Sequence, residues 1–260
     1  MGNNGPVKDE ALVIRSIRHG ETSRIVTLFT GNYGKIAVIA KGARRSKSGG
    51  AGGSLETANL IEAMIYIKAT RSVQTLGQVS VINTYNHIRQ DLVLSGYSTA
   101  MLELINLAFI DAEPNREAFD SAVSFLDQLE HKDGNYRLVL WKFQLTLLKA
   151  IGFALDPYAC SVCGNAKANI SIRNRFQLET GAVCCTNCQP QGSSNVSISG
   201  ESVRILRQLT DCEDRTLSRL KPSRNALREI SDLLERYLRH HYPNINKMPA
   251  MRMLDRFENL

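Results

Sequence analysis

The stretch ALVIRSIRHGETSRIVTLFTGNYGKIAVIAKG, residues 11–42, decides the first half of the fold. Several of its runs alternate apolar and polar residues, and they are rich in Val, Ile and Thr, which is typical of half-buried strands. Turn residues interrupt the runs at His19-Gly20-Glu21 and at Gly31-Asn32-Tyr33-Gly34. The stretch therefore predicts three short strands joined by tight turns.

Two more strands are predicted after the glycine-rich segment SGGAGGS at 48–54. They are NLIEAMIYIKA (59–69) and TLGQVSVINTY (75–85). Five short strands in about 75 residues is the size of an OB-type barrel, which uses one face and its loops to hold single-stranded nucleic acid. An SH3-like barrel fits the same pattern, so both remain open at this point.

From about residue 88 the hydrophobic period changes to 3.6, which predicts helices. NYRLVLWKFQLTLLKAI, at 135–151, is apolar almost all round and is expected to be a buried central helix. Asn115 is the expected N-cap of another helix, which precedes residues 135–151 in the sequence. Residues 200–209 and 223–241 are also expected to be helical.

The spacing of the cysteines gives the strongest local signal in the chain. CSVC at 160–163 and CTNC at 185–188 are separated by 21 residues. Two such pairs place the thiolates of Cys160, Cys163, Cys185 and Cys188 around one Zn²⁺. Four thiolates leave no open position, so the zinc is expected to be structural; redox dithiols or unrelated buried cysteines are the alternatives. Cys184 lacks the two-residue spacer and is expected to be a bystander.

These observations predict an α+β fold, in which an N-terminal OB-type β-barrel is followed by an all-α domain carrying an inserted zinc-ribbon-like finger. The expected boundaries are 1–85 for the OB-fold nucleic-acid-binding domain, 86–158 and 199–260 for the two parts of the helical domain, and 159–198 for the finger.

The net charge of +7 is unevenly distributed. Residues 1–80 carry 11 basic and 5 acidic residues, whereas residues 81–158 carry 6 and 10. A basic segment beside an acidic one favours a polyanion-binding domain on a solvated scaffold, although basic surface that only aids solubility fits the charge equally well. No apolar run reaches the length of a membrane span, and MGNNGPVKDE lacks the apolar region of a secretory signal, so a cytoplasmic location is expected.

Motifs of catalysis are missing from the sequence. The phosphate-binding pattern G-x-x-x-x-G-K-[ST] fails at Gly34-Lys35, because Ile36 follows and Phe29 stands at the first glycine position. No G-x-S-x-G or H-E-x-x-H motif appears either. We therefore expect a binding protein rather than an enzyme.

Several segments, together with the cysteine spacing, resemble the RecO family of bacterial DNA repair and recombination proteins. These segments are RHGETSRIVTLFT (18–30), YGK (33–35), AKGARR (40–45), YSTAMLELI (97–105) and LLKAIGFAL (147–155). The resemblance implies a recombination mediator that binds single- and double-stranded DNA and anneals complementary strands. It also implies that the protein acts with RecR and the single-strand-binding protein to assist the loading of RecA onto DNA. The competing class is an OB and zinc-ribbon adaptor in a transcription or RNA complex.

DNA contacts are expected on the basic residues of the barrel, which would neutralise phosphates without reading sequence. Tyr33 either stacks on a base or packs against the barrel. Aromatic residues make up only 7% of the chain, so binding is expected to be mainly electrostatic. The expected DNA-binding residues are Arg24, Lys35, Lys41, Arg44, Arg45 and Lys47.

The C-terminal helix has two interpretations. Proteins of the RecO family engage the acidic, apolar-ended tail of the single-strand-binding protein, and such a peptide needs an apolar pocket ringed by cations. Arg228, Arg236 and Arg239 are the expected rim. Alternatively, these arginines are the solvated face of an amphipathic helix, balanced by Glu229, Asp232 and Glu235.

Overall fold

A computed structural model describes most of the 260-residue chain, and the described residues fall into two compact units. The first unit comprises residues 1–132 and 248–260, and the second comprises residues 133–247. The described residues are 5–43, 51–131, 135–164, 173–185, 187–188, 194–212, 214–242, 249–250 and 253–254.

The first unit begins with a closed, five-stranded barrel in the order β1-β2-β3-β5-β4. All neighbouring strands are antiparallel except β3 and β5, which are parallel, and β4 pairs with β1 to complete the ring. The predicted OB-type barrel is therefore confirmed, and the SH3-like alternative is not needed. The strands are β1 (Pro6–His19), β2 (Ser23–Thr30), β3 (Gly34–Ala40), β4 (Leu60–Tyr66) and β5 (Val73–Asn83).

Alternation along the strands fills the interior of the barrel. Val26 and Leu28 of β2 are fully buried and lie opposite Val38 and Ile36 of β3. A β-bulge between Val13 and Arg15 interrupts this alternation in β1. Because a bulge inserts one unpaired residue, the side chains that follow it change face.

The first unit also contains α1 (Ala51–Ser54), α2 (Asn86–Gln90), α3 (Leu92–Ala108) and α4 (Arg116–Glu130). The end of α3 and the first turns of α4 cover one half of the outer face of β2 and β3. The ring of Phe29, on β2, lies 5.0 Å from that of Phe109 and 6.0 Å from that of Phe119. The side chain of Asn115 accepts a hydrogen bond from the amide of Ala118, which confirms it as the N-cap of α4.

The segment between α3 and α4 runs close against the start of β3. The amide of Ala112 donates to the carbonyl oxygen of Lys35 over 2.8 Å. Gly34 has φ +67°, and a Cβ placed on it would lie 2.2 Å from the carbonyl oxygen of Glu113. Only glycine therefore satisfies both the left-handed backbone and the close approach.

In the second unit, the described residues form three α-helices and a four-stranded sheet. Most of α5 is buried, as its apolar circumference predicts. The sheet has the order β6-β8-β7-β9, and the antiparallel strands β7 and β8 lie between the two cysteine pairs in the sequence. The elements are α5 (Tyr136–Ala150), β6 (Asp156–Cys160), β7 (Arg173–Gln177), β8 (Ala182–Cys184), β9 (Asn195–Ser199), α6 (Gly200–Asp211), a 3₁₀ helix (Asp214–Arg219) and α7 (Arg224–His241).

The architecture thus agrees with the predicted α+β class of a barrel, helices and a cysteine finger. The domain boundaries expected at 85/86, 158/159 and 198/199 stay predictions. Within the described part of the chain, no helix has both the length and the hydropathy that crossing a bilayer requires.

The packing at Gly34 predicts a position-specific loss of stability. Gly34→Ala should lower the free energy of unfolding by about 3 kcal/mol or more, because backbone strain adds to a clash with Glu113. Gly42→Ala is the matched control, since Gly42 has φ +69° and nothing within 4 Å of the added Cβ. It should cost only about 1 kcal/mol. Equal losses in chemical denaturation would contradict the packing argument.

Candidate metal centre and nucleic-acid interface

Two turns at the end of the second unit's sheet bring four sulfur atoms together. Cys160 ends β6 and Cys163 lies in the turn that follows, while Cys185 comes directly after β8 and Cys188 lies three residues later. The four Sγ atoms lie within 4.8 Å of one another, and those of Cys163 and Cys185 are 4.0 Å apart. Metal–sulfur bonds of about 2.3 Å give a tetrahedral edge of about 3.8 Å, so the cluster fits a metal ion.

Backbone amides prepare one of these sulfurs for a cation. The amide of Cys185 donates to the Sγ atom of Cys160 over 3.3 Å, and the amide of Val162 donates to it over 3.5 Å. Burial opposes ionisation of Cys160, but the amides of Cys185, Cys163 and Val162 outweigh it and lower the pKa to about 6. Cys160 is therefore largely a thiolate, the form that binds metal, at neutral pH.

The thiol of Cys188 holds its proton until a cation displaces it. Hydrogen bonds with Cys185 and Cys163 raise the pKa of Cys188 to about 12. Thiolate coordination requires deprotonated sulfur, so metal binding here must release protons and weaken as the pH falls.

Cys184 lies next to the cluster but outside it. It is buried, its Sγ atom donates to the carbonyl oxygen of Cys188 over 3.4 Å, and it is not one of the four clustered sulfurs. Burial, followed by the charge of Cys160, raises the pKa of Cys184 to about 11. Its place outside the group of four sulfurs supports the expectation that Cys184 is not a ligand.

The expected DNA-binding residues occupy different environments. Lys41 is exposed in the turn after β3. Arg24 forms an ion pair with Glu56 at 3.0 Å, and only 22% of its side chain is exposed. Lys35 donates from Nζ to the carbonyl oxygen of Asn106 and pairs with Asp111, and its side chain is 12% exposed. Arg44, Arg45 and Lys47 lie outside the described residues.

The positions of these cations follow from the strand registers. Lys35 lies opposite Phe29, on the half of the barrel face that α3 and α4 cover. Lys41 comes one residue beyond the other end of β3, about 20 Å away at about 3.3 Å per residue. Lys35 therefore does not share a surface with Lys41, and its pairing with Asp111 indicates a structural role.

Sequence reasoning missed two exposed cations, Arg15 and Arg71. They lie beside the half of the outer face of β2 and β3 that none of the described helices covers, which we call the uncovered half. Arg15 lies opposite Thr27, and Arg71 comes two residues before β5. Alternation counted from Ala11 and Val13 would turn Arg15 inward, and only the bulge reverses it.

The arginines of α7 lie on its exposed side. Arg236 pairs with Asp232 at 2.8 Å, and Arg239 pairs with Glu235. Arg228 is exposed, and no ion pair of it is found among the described residues.

Glu229, expected to balance the arginines of α7, turns away from them. It accepts hydrogen bonds from the amide of Ser199 and the hydroxyl of Ser202, and it pairs with Arg173 at 2.9 Å. These contacts lower the pKa of Glu229 even though its burial opposes ionisation. The carboxylate therefore stays charged while it holds α7 against β9 and α6.

The metal centre predicts opposite outcomes at two adjacent cysteines. Cys185→Ser should weaken metal binding at least a hundredfold, about 2.8 kcal/mol, and lower the melting temperature, because the metal contributes directly to folding. Cys184→Ser, its matched control, should keep one ion per chain. Elemental analysis and chelator competition measure both effects. Loss of metal from Cys184→Ser with retention by Cys185→Ser would show that the ligand set is wrong.

Comparisons with known proteins agree with this architecture. The family model of the recombination protein O N terminus matches residues 4–85, and that of the recombination protein O C terminus matches residues 89–248. A DNA repair protein RecO of Desulfitobacterium hafniense is 36% identical over 228 residues, which cover 86% of this chain and 81% of that protein. A RecO protein of Exiguobacterium sibiricum is 27% identical over 97% of this chain and 98% of its own length. The chain therefore belongs to the RecO family of DNA repair proteins.

Proposed function

We propose that this chain is a recombination mediator, which binds single- and double-stranded DNA, anneals complementary strands, and assists RecA loading with RecR and the single-strand-binding protein. The observation that carries the proposal is the uncovered half of the barrel face on β2 and β3. OB-type barrels bind nucleic acid with that face and the adjoining loops. The proposed site of action is the bacterial cytoplasm, at the nucleoid.

Charge supports a polyanionic partner at this face. Residues 1–80 carry six more basic than acidic residues. Lys41 is exposed and leads directly into Arg44, Arg45 and Lys47, while Arg15 is exposed on the face itself. Such residues bind phosphates whatever the base sequence, which suits a protein that acts on strands of any sequence. Arg24 and Lys35 are weaker candidates for DNA contact, because both are already paired with carboxylates.

The metal is proposed to be a single structural Zn²⁺ held by Cys160, Cys163, Cys185 and Cys188. Four sulfur ligands favour zinc over magnesium or calcium, which prefer oxygen. Zinc would cross-link the two turns. With four sulfur ligands, it would have no open coordination position for chemistry. We accordingly propose a non-enzymatic role for the whole chain.

Strand annealing is the experiment that tests this function. The protein should accelerate pairing of complementary oligonucleotides, whereas binding without annealing would favour the adaptor alternative.

Changing Arg44, Arg45 and Lys47 together to Ala should weaken single-strand binding and flatten the slope of log K against log [salt] by about 2, at ~0.7 for each lost phosphate contact.

A charge-matched control is available in the second unit. Arg228, Arg236 and Arg239, changed together to Ala, remove the same three charges from α7. This variant should leave affinity for bare single-stranded DNA within about twofold and its salt slope unchanged. If the barrel variant leaves the slope of log K against log [salt] unaltered, or the control alters it equally, DNA binds elsewhere than at Lys41 and its neighbours.

The exposed side of α7 is proposed to receive the acidic tail of the single-strand-binding protein. Arg228 and Arg239 are separated by eleven residues, about three turns, so they lie on one side of the helix. Exposed pairs such as Arg239–Glu235 contribute only about 0–1 kcal/mol, so an incoming carboxylate competes with them readily. The placement of Glu229 leaves Arg228 without the neighbour expected to balance it.

Reversing two charges distinguishes docking from simple solvation of α7. Arg228→Glu with Arg239→Glu should lower affinity for a tail peptide at least tenfold, about 1.4 kcal/mol, while bare single-stranded DNA binding stays within about twofold. Fluorescence anisotropy with a labelled peptide and a labelled oligonucleotide measures both. If neither affinity changes, α7 is a solvated scaffold helix, and if both fall together, it belongs to the DNA surface.

A further inference from the structure

The half of the barrel face that no described helix covers carries a mainly apolar row. Ile17 of β1 lies opposite Ile25 of β2, which lies opposite Ile39 of β3, and the row continues through Thr75 of β5 to Tyr66 of β4. Ile17 is 43% exposed, and Ile25 and Ile39 are half-buried. We call Ile17, Ile25 and Ile39 the isoleucine rung.

The row beside the isoleucine rung is mixed in character. It runs from Arg15 through Thr27 and Ala37 to Val73. Neither row carries a carboxylate, and Arg15, Lys41 and Arg71 are exposed around them. An apolar strip with a cationic border complements a ligand that has flat apolar faces attached to an anionic backbone.

We infer that the isoleucine rung takes the unstacked bases of a single DNA strand and thereby sets a preference for single strands over duplex. The inference rests on the proposed DNA-binding function and deepens it. Four strands with spacings of about 4.8 Å make a platform about 14 Å across, enough for a few nucleotides. Bases of a single strand expose their apolar faces, whereas those of a duplex are stacked and present phosphates and groove edges instead.

The side-chain type suits this task. Isoleucine is β-branched and restricted at χ1, so the rung offers an ordered surface that loses little entropy when a base lies on it. Aliphatic packing distinguishes no base from another, since every base has an apolar face. The rung and the cations then contribute in separable ways, the rung through apolar contact and the cations through salt-dependent attraction.

Changing the rung should therefore affect only one form of DNA. We would use the full-length, metal-loaded protein with a 20-nucleotide oligo-dT and a 20-base-pair duplex, over a range of salt concentrations. Ile17→Thr with Ile39→Thr keeps strand propensity and should lower oligo-dT affinity about fivefold. The log K against log [salt] line should shift in parallel because no phosphate contact is lost, and duplex affinity should stay within about twofold.

A matched control and a gain-of-function variant sharpen the test. Ile110→Thr alters an isoleucine of the same compact unit that is 67% exposed and lies outside the rung, so it should change neither affinity. Ile17→Tyr adds a stacking ring at the most exposed position of the rung and should raise oligo-dT affinity about fivefold without raising duplex affinity. Should the double variant fail to fold, Ile17→Tyr decides alone.

Several results would overturn the inference. Equal losses for both DNA forms, a changed salt slope, or no gain from Ile17→Tyr would each exclude base contact at the rung. Unchanged DNA affinity with lost binding of purified RecR would make the rung a protein interface instead. If the unaltered protein binds neither DNA form, the proposed function fails and the inference fails with it. If it binds both and only the rung variants behave otherwise than expected, the inference alone is wrong.

Discussion

One extra residue in β1 decides what the barrel presents on its outside. The bulge between Val13 and Arg15 reverses the alternation of the strand, so Ala11 and Val13 fill the interior whereas Arg15 and Ile17 face outward. With a regular strand, the same sequence would place a charged arginine in the apolar barrel, at a large cost in desolvation. The bulge therefore protects the core and, by the same step, supplies the outer face with a cation and an apolar side chain.

Coverage by α3 and α4 divides this outer face in two. Phe29 anchors the covered half through Phe109 and Phe119, and Lys35 is held there by Asn106 and Asp111. Lys35, on the covered half, is held by protein groups, whereas Arg15 and Lys41, near the uncovered half, are exposed. The burial of Lys35 is thus a consequence of how the barrel is packed, and it narrows the proposed DNA surface to the end of β3 where Lys41 lies.

Local patterns predicted much of this molecule. Alternating Val, Ile and Thr gave the strands, the 3.6 period gave the helices, and the cysteine spacing identified a cluster that the structure assembles. The environment of Lys35 and Arg24 could not be predicted, because their partners Asp111 and Glu56 are distant in sequence. The bulge was equally hidden, since an alternating stretch does not reveal where one residue will be skipped. Glu229 shows the same limit: on a helical wheel it balances α7, yet contacts with Ser199 and Ser202 turn it elsewhere.

Annealing places a constraint on how firmly bases are held. A protein that pairs complementary strands must gather them, which phosphate contacts do over a distance and regardless of sequence. It must also release the bases for pairing, and stacking on an aromatic ring, at about 1–3 kcal/mol per base, would oppose that release. Aliphatic side chains pack against a base without that specific stacking geometry. A cationic border around an isoleucine row would therefore hold strands firmly by their backbones and only weakly by their bases, so that the bases can exchange partners.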